Sequence, residues 1–243
     1  MSNSENSGDE NPITVWRREL GGVRGPMGLS GLAFHARALA EIIVAQSGSE
    51  SEKRGEKASC RKGCAACCRQ MIPLSPPEAF LLTETLTAME PAREHEINVR
   101  MSALGQRLES EGLGTLALSN HAQTYFRLGL PCPFLIDEAC SIHDRRPMAC
   151  REHVAVSGAG HCSDFPDPFI RMMSLSVSVG DALGEVAGEA AGRGVEMIPM
   201  ARAREWVAAH SDLGSKTWEA AFLLDRLAER CLARMGVNTV SPG

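Results

Sequence analysis

Eight of the nine cysteines of this 243-residue chain lie between positions 60 and 162. The first four form a C-x3-C-x2-C-C motif, and the full set is Cys60, Cys64, Cys67, Cys68, Cys132, Cys140, Cys150 and Cys162. Thiols placed this close together oxidise, exchange and capture metals, so their crowding needs a chemical reason. The pattern predicts that these eight cysteines bind zinc or an iron–sulfur cluster.

A disulfide framework is the other explanation, because dense cysteine usage stabilises small secreted folds that lack a core. This chain is 44% hydrophobic, enough for an ordinary core, and its cysteine count is odd. Its first residues are polar and acidic, unlike a secretory leader. The apolar stretch from Met27 to Gln46 is interrupted by His35, Arg37 and Glu41, so no membrane span is expected. We therefore expect free thiols and a cytoplasmic protein.

The charge balance limits the classes of partner. The formal net charge is −5, the isoelectric point is about 5.8 and aromatic residues make up only 5% of the chain. Nonspecific nucleic-acid binding needs a basic face, which this composition does not supply. We expect no nucleic acid and no membrane as partner. The protein or small molecule that the chain does bind is left open by the sequence.

Apolar periodicity predicts a mainly α fold, a single cysteine-rich helical domain with a small β-hairpin near the metal site. Four regions are expected: a disordered tail (1–12), an N-terminal helix with a polar linker (13–57), the cysteine-cluster region (58–165) and C-terminal helices packed on the same domain (166–243). The C-terminal helices are expected within residues 169–191, 199–210 and 215–235. Cys231 falls on the apolar face of the last one, which makes it a core residue rather than a ligand.

Local signals place the elements around the cysteines. Ser75 followed by two prolines and Glu78 forms a capping box, which predicts a helix from Pro76 to about Met89. A second helix is expected from Pro91 to about Gly112. Two short extended runs around residues 137–139 predict the hairpin, which would bring Cys132 and Cys140 to face each other.

In the first motif we expect Cys60 in a loop and Cys64 at the start of a helix that carries Cys67 and Cys68. A helix N-terminus lowers thiol pKa values and so favours thiolates. Adjacent residues on a regular helix do not easily point at one metal atom. One of Cys67 and Cys68 therefore serves another site or lies beside the ligands.

Arginines and histidines surround the second set of cysteines. The guanidinium N–H groups of Arg145, Arg146 and Arg151 can donate hydrogen bonds to thiolates or sulfides. Arg146 and Arg151 are the two that we predict to bind the cofactor in this way, without being metal ligands. The alternative is that these are surface arginines paired with Asp144 and Glu152. Mixed ligation also stays open, because three histidines lie nearby in sequence: His143, His153 and His161.

The motif and its flanks resemble a known family. C-x3-C-x2-C-C, then Cys-Pro-Phe-Leu, then Cys-Ser-Ile-His-Asp-Arg-Arg-Pro-x-x-Cys-Arg is similar to the YkgJ-type cysteine-cluster proteins, described as zinc- or iron-chelating. The resemblance covers about residues 58 to 153 and leaves Cys162 and the C-terminal third outside. It implies that Arg146, Pro147 and Arg151 are shared elements and that the metal-binding cysteines are Cys60, Cys64, Cys67, Cys68, Cys132, Cys140 and Cys150. A similar motif occurs in flagellin lysine-N-methylases.

Three functions are compatible with these features. The first is a cytosolic metal-binding protein that holds an iron–sulfur cluster, for example of the 4Fe-4S type, or zinc. The second is a metal-dependent modifying enzyme such as a protein lysine N-methylase, although no strand followed by a glycine-rich turn is present to bind its methyl donor. The third is a zinc-stiffened module that binds a partner through its C-terminal helices. The sequence identifies no catalytic residue.

Overall fold

Ten α-helices and six two-residue strands form the regular structure of the residues that the computed structural model describes, 10–113, 118–164 and 167–237. Residues 1–9 of the predicted tail, and the predicted boundary at 165–166, lie outside the described residues. The fold is mainly α, as the sequence predicts. No helix among the described residues is long and apolar enough to cross a membrane.

The helices follow one another along the whole chain. They are α1 (Pro12–Glu19), α2 (Leu29–Lys53), α3 (Pro76–Thr87), α4 (Pro91–Ser110), α5 (Leu118–Arg127), α6 (Met148–Glu152), α7 (Val179–Ala191), α8 (Ala203–Ala209), α9 (Ser211–Gly214) and α10 (Ala220–Arg234). Short 3-10 turns at Leu20–Gly22, His143–Arg145, Ala159–Ser163 and Met200–Arg202 link them.

The strands pair antiparallel in three two-stranded sheets. Strands β1 (Pro26–Met27) and β6 (Trp218–Glu219) form the first, β2 (Pro73–Leu74) and β5 (Ile198–Pro199) the second, and β3 (Leu135–Ile136) and β4 (Ala139–Cys140) the third. The first two join segments that are far apart in sequence, so each fastens the C-terminal third onto the N-terminal part. The third is the hairpin that the sequence predicts.

The long helix α2 lies at the centre of the main core. It packs against α1, α3, α6, α7 and α10. Its buried face includes Leu32, Leu39 and Ile43, which share one apolar cluster with residues of α7 and α10. Cys231 of α10 is fully buried in this cluster, so it is the core residue that the sequence predicts. Burial raises the pKa of its thiol to about 12.

A second apolar cluster supports the hairpin. Phe134 and Ile142 flank the hairpin and are buried with Leu74 of β2, Leu86 of α3 and Ile97 of α4. Cys132 and Cys140 pack against the edge of this cluster. The helical framework thus determines where these two cysteines lie.

The predicted capping box is confirmed at α3. One carboxylate oxygen of Glu78 accepts hydrogen bonds from the Ser75 amide (3.0 Å) and the Ser75 hydroxyl (2.8 Å). The predicted limits of α3 and α4 agree with the structure to within about a turn.

The end of α2 and the segment before α7 depart from the sequence expectation. Helix α2 continues to Lys53, into the expected polar linker, because Ser47 and Ser51 are buried and Val44 packs against the cluster formed by Val154, Val156 and Met173. The expected helix from residue 169 begins only at Val179. The residues before α7 are extended, because the Met173 amide donates to the Val154 carbonyl oxygen (2.7 Å) and Ala155 bridges Met172.

Candidate metal centre

The C-x3-C-x2-C-C motif folds as three short turns, and the helix expected from Cys64 onwards is wrong. The amides of Cys64, Cys68 and Gln70 donate to carbonyl oxygens three residues earlier, at 3.0, 2.9 and 3.0 Å. Gly63 has φ +87°, a left-handed conformation that glycine adopts without strain and that interrupts a helix. The thiols of this motif therefore do not lie at a helix N-terminus.

The beginning of the motif is attached to the segment after α6. The Ser59 amide donates to the Ala155 carbonyl oxygen at 2.8 Å, and the Ser59 hydroxyl donates to the same oxygen at 3.1 Å. The Ala155 amide in turn donates to the sulfur of Cys60 at 3.3 Å. Cys60 Sγ also lies 3.7 Å from the carbonyl oxygen of His153. Backbone groups therefore hold this sulfur in place.

The end of the motif is attached to the hairpin. The Cys132 amide donates to the Cys68 carbonyl oxygen at 2.7 Å. Cys140 stands on β4 opposite Leu135 of β3. At the hairpin tip, Glu138 forms an ion pair with Arg69 at 2.8 Å. These contacts bring Cys132 and Cys140 beside Cys67 and Cys68.

Cys150 is positioned by the short helix α6. Its amide donates to the Pro147 carbonyl oxygen at 3.0 Å, which places it in the first turn. The second carboxylate oxygen of Glu78 accepts a hydrogen bond from the Met148 amide at 2.7 Å. Glu78 thus caps α3 and also holds the start of α6 against it. The sequence indicates the first role and gives no signal for the second.

Cys162 comes from a 3-10 turn (Ala159–Ser163) and is buried, with 4% of its surface exposed. Its pKa is raised to about 11, mainly by burial and then by the charges of Cys60, Cys67 and Cys64 in that order. Burial is also the main cause of the raised pKa of Cys60, with smaller effects from Cys67 and Cys64. Cys60, Cys64, Cys67 and Cys162 are therefore electrostatic neighbours.

A second set of neighbours includes the hairpin and α6. Burial raises the pKa of Cys132 to about 12 and that of Cys150 well above its ordinary value. The charges of Cys132, Cys67 and Cys140 add to the effect on Cys150. Cys140 has a raised pKa, first from burial and then in part from Cys67. Cys67 therefore belongs to both sets.

Cys67 itself interacts with its neighbour in sequence. A hydrogen bond with the Cys68 side chain is the largest cause of the raised pKa of Cys67, followed by burial and the charge of Cys68. Through this pair, the structure brings all eight cysteines predicted as ligands into one region. All nine cysteines of the chain are free thiols.

The thiols are not arranged as a finished coordination shell. Among the described residues, no group of three or more His, Cys, Asp or Glu side chains is arranged to hold a metal ion as it stands. The chemistry of the donor set nevertheless fits a soft or borderline metal, because buried neighbouring thiols ionise readily only beside a cation. Metal binding at this place must therefore draw the sulfurs closer together and release their protons.

The charge of Arg146 acts on four of the thiols in the cluster. It lowers the pKa values of Cys60, Cys67, Cys140 and Cys150, against the larger effect of burial. Its Nε donates to the His143 carbonyl oxygen at 2.9 Å. A guanidinium held in this way can offset part of the negative charge of a thiolate set.

Arg151 organises the backbone around α6. It is 7% exposed, and it donates to the carbonyl oxygens of Arg146 (2.8 Å) and Asp144 (2.6 Å). Its remaining ion pair is with Glu41 of α2. The sequence left open that these arginines are surface residues paired with Asp144 and Glu152. Within the described residues, neither carboxylate forms an ion pair with Arg145, Arg146 or Arg151. Glu152 accepts instead from the Val179 amide at the start of α7, at 2.7 Å.

The three histidines near the cysteines differ in their contacts. Nδ1 of His161 lies 2.6 Å from the Asp167 carboxylate, and Nδ1 of His143 lies 3.2 Å from the Asp144 carboxylate. Nε2 of His153 is buried and has no hydrogen-bond partner within the described residues. Burial lowers the pKa of His153, which favours the neutral imidazole, the form that binds metals.

Comparison with known proteins gives one match. Residues 59–167 match the model of the CxxCxxCC family, whose description reads "Putative zinc- or iron-chelating domain". The matched segment includes Cys162, so it extends beyond the resemblance recognised in the sequence. No curated protein and no solved structure matches the chain. This segment of the chain is thus similar to the CxxCxxCC family, whose domain is described as zinc- or iron-chelating.

Proposed function

We propose that the cysteines between positions 60 and 162 hold an iron–sulfur cluster, with zinc as the second candidate. The observation that carries this proposal is the mutual effect of thiols from separate segments, which raise one another's pKa values around Cys67. Structural zinc takes four ligands, and a cubane cluster also takes four cysteines. Eight thiols exceed either requirement, which favours a cluster or two sites.

The proposed ligands form two groups that share Cys67. One group combines it with Cys60, Cys64 and Cys162, and the other with Cys132, Cys140 and Cys150. Cys68 would serve as an alternative ligand to Cys67 or would hydrogen-bond to its sulfur. Arg146 would offset the charge of the thiolates, and Arg151 would position α6 and Arg146 without touching the metal.

We further propose that the protein works in the cytoplasm. All nine cysteines are free, although many of them are close neighbours. Thiols in such an arrangement persist in a reducing compartment and oxidise elsewhere.

Purification of the full chain without oxygen tests the metal assignment. The absorption spectrum and the iron, zinc and sulfide content are measured on one sample. A brown protein with about four iron and four sulfide per chain identifies a cubane cluster. A colourless protein with one or two zinc per chain identifies zinc sites instead. A folded protein that contains neither metal and cannot be loaded with either contradicts the proposal.

A further inference from the structure

A narrow cleft between α2 and the residues that precede α6 is rich in arginine. Its lining includes Arg37 of α2, Glu78 of α3, Arg145, Arg146 and Pro147. Its free volume of about 10 Å³ is enough for one water-sized group. Any larger ligand must therefore remain at the mouth of the cleft and insert a single atom.

The guanidinium of Arg37 has no hydrogen bond or ion pair with any side chain in the described part of the chain. Burial is the largest cause that lowers its pKa, and the positive charge of Arg151 lowers it further. Glu41 and Glu78 oppose this with smaller effects, and Arg145 adds the smallest effect, which again lowers the pKa. A half-buried cation beside other cations is unfavourable unless an anion compensates it.

Arg145 is the second arginine of the cleft that makes no side-chain hydrogen bond or ion pair with the described residues. Its side chain is exposed, in the 3-10 turn formed by His143–Arg145. Arg146 and Arg151, in contrast, are held by carbonyl oxygens and by Glu41. Two of these four arginines, Arg37 and Arg145, therefore line the cleft without a side-chain partner among the described residues.

The nearby acidic groups are engaged elsewhere. Glu78 is buried, and its oxygens accept hydrogen bonds from the Ser75 amide, the Ser75 hydroxyl and the Met148 amide. Glu41 forms its ion pair with Arg151. No thiol is among the charges that act on Arg37.

We propose that Arg37 and Arg145 bind the carboxylate or phosphate group of a small anionic ligand at the mouth of this cleft. A guanidinium matches both oxyanions through paired N–H donors. One oxygen of the ligand would enter the water-sized space, and the rest of the molecule would stay outside. Because Arg146 lines the cleft and also acts on the thiols, the ligand would lie beside the cysteine cluster. The binding itself does not require the metal.

Calorimetric titration of the metal-loaded full chain tests this site. Inorganic phosphate and acetate are titrated separately at low ionic strength, where charge interactions are least screened. We expect at least one of them to bind the wild type, and which one binds identifies the anionic group. Arg37→Gln and Arg145→Gln should each weaken the binding about tenfold. Arg24→Gln is the matched control, because the side chain of this exposed arginine has one hydrogen bond within the described residues, to the carbonyl oxygen of Val23.

Three results would overturn the proposal: no binding of either anion to the wild type, unchanged binding in both cleft variants, or equal weakening by Arg24→Gln. If Arg37→Gln fails to fold, exposed Arg145 still decides the outcome. The metal content of every sample is measured as well. Anion binding and metal content are then known separately for each sample. A failure of the proposed anion site can therefore be told apart from a failure of the proposed metal function.

Discussion

The amide of Cys132 donates a 2.7 Å hydrogen bond to the carbonyl oxygen of Cys68, across a sequence separation that includes α3, α4 and α5. This bond attaches the hairpin to the end of the cysteine motif. A corresponding attachment joins Ser59 to Ala155 at the beginning of the motif. The cysteine cluster is therefore held at both ends by backbone hydrogen bonds that do not depend on sulfur ligation.

Cys67 is the cysteine whose loss should affect the metal most. It is a neighbour of both proposed ligand groups, so Cys67→Ser should remove most of the bound metal, whereas Cys162→Ser should remove only part of it. Elemental analysis after anaerobic purification measures both. The matched control is Cys231→Ala, which lies in the helical core and should keep all of its metal.

The control variant Cys231→Ala should itself be less stable than the wild type. Removing the buried sulfur of Cys231 should lower the free energy of unfolding by about 1–2 kcal/mol, because it leaves a small cavity.

Equal metal loss in the Cys67 and Cys162 variants would contradict the shared position of Cys67.

Glu78 should couple the stability of α3 to that of the metal site. Glu78→Ala leaves the Ser75 amide, the Ser75 hydroxyl and the Met148 amide without their acceptor. We expect the free energy of unfolding, measured in urea, to fall by about 2–4 kcal/mol. Metal should also bind more weakly, because α6 carries Cys150. Glu78→Gln keeps one acceptor oxygen and should cost less. Unchanged unfolding in Glu78→Ala would show that these bonds do not hold α6 in solution.

The sequence predicts the elements whose signals are local. The capping box of Ser75 and Glu78, the hairpin around residues 137–139 and the core position of Cys231 each depend on residues within about a turn of one another. The structure bears these out because local propensity and tertiary packing agree there.

Two of the expectations that failed depend on contacts distant in sequence. The residues before α7 are extended because they pair with residues 154–156, and α2 is longer because its end packs on the same segment. The second role of Glu78 and the cleft at Arg37 arise only when α2, α3 and α6 come together. No spacing in the sequence indicates these relationships.

Cys231 should also make the stability of the protein sensitive to alkaline pH. Its pKa is raised from 9.0 to about 12 in the folded state, so the folded state holds the thiol proton more tightly than the unfolded state does. This contribution is fully present below about pH 9 and is lost as the pH rises towards about 12. Urea unfolding of the metal-free wild type at about pH 8 and about pH 10.5 should show the decrease.

Cys231→Ala provides the comparison for this effect. The variant lacks the titrating thiol, so its stability should fall less than that of the wild type over the same interval. The other cysteines titrate in both proteins, and their contribution cancels in the difference. Parallel pH profiles would mean that the thiol of Cys231 ionises with an ordinary pKa.

The hairpin turn contains two residues in an unfavourable backbone conformation. Asp137 has φ +49° and Glu138 has φ +55°, a left-handed pair that matches the two-residue turn in which glycine is favoured at the second position. Glu138→Gly should therefore stabilise the protein by about 0.5–1 kcal/mol, although it removes an exposed ion pair with Arg69 that contributes little. Glu138→Gln removes the same charge and keeps the strained conformation, so it should be neutral or slightly destabilising. Thermal unfolding of both variants compares these effects. If both variants lose the same stability, the ion pair with Arg69 outweighs the backbone strain, and the tip of the hairpin is held to the cysteine motif mainly by charge.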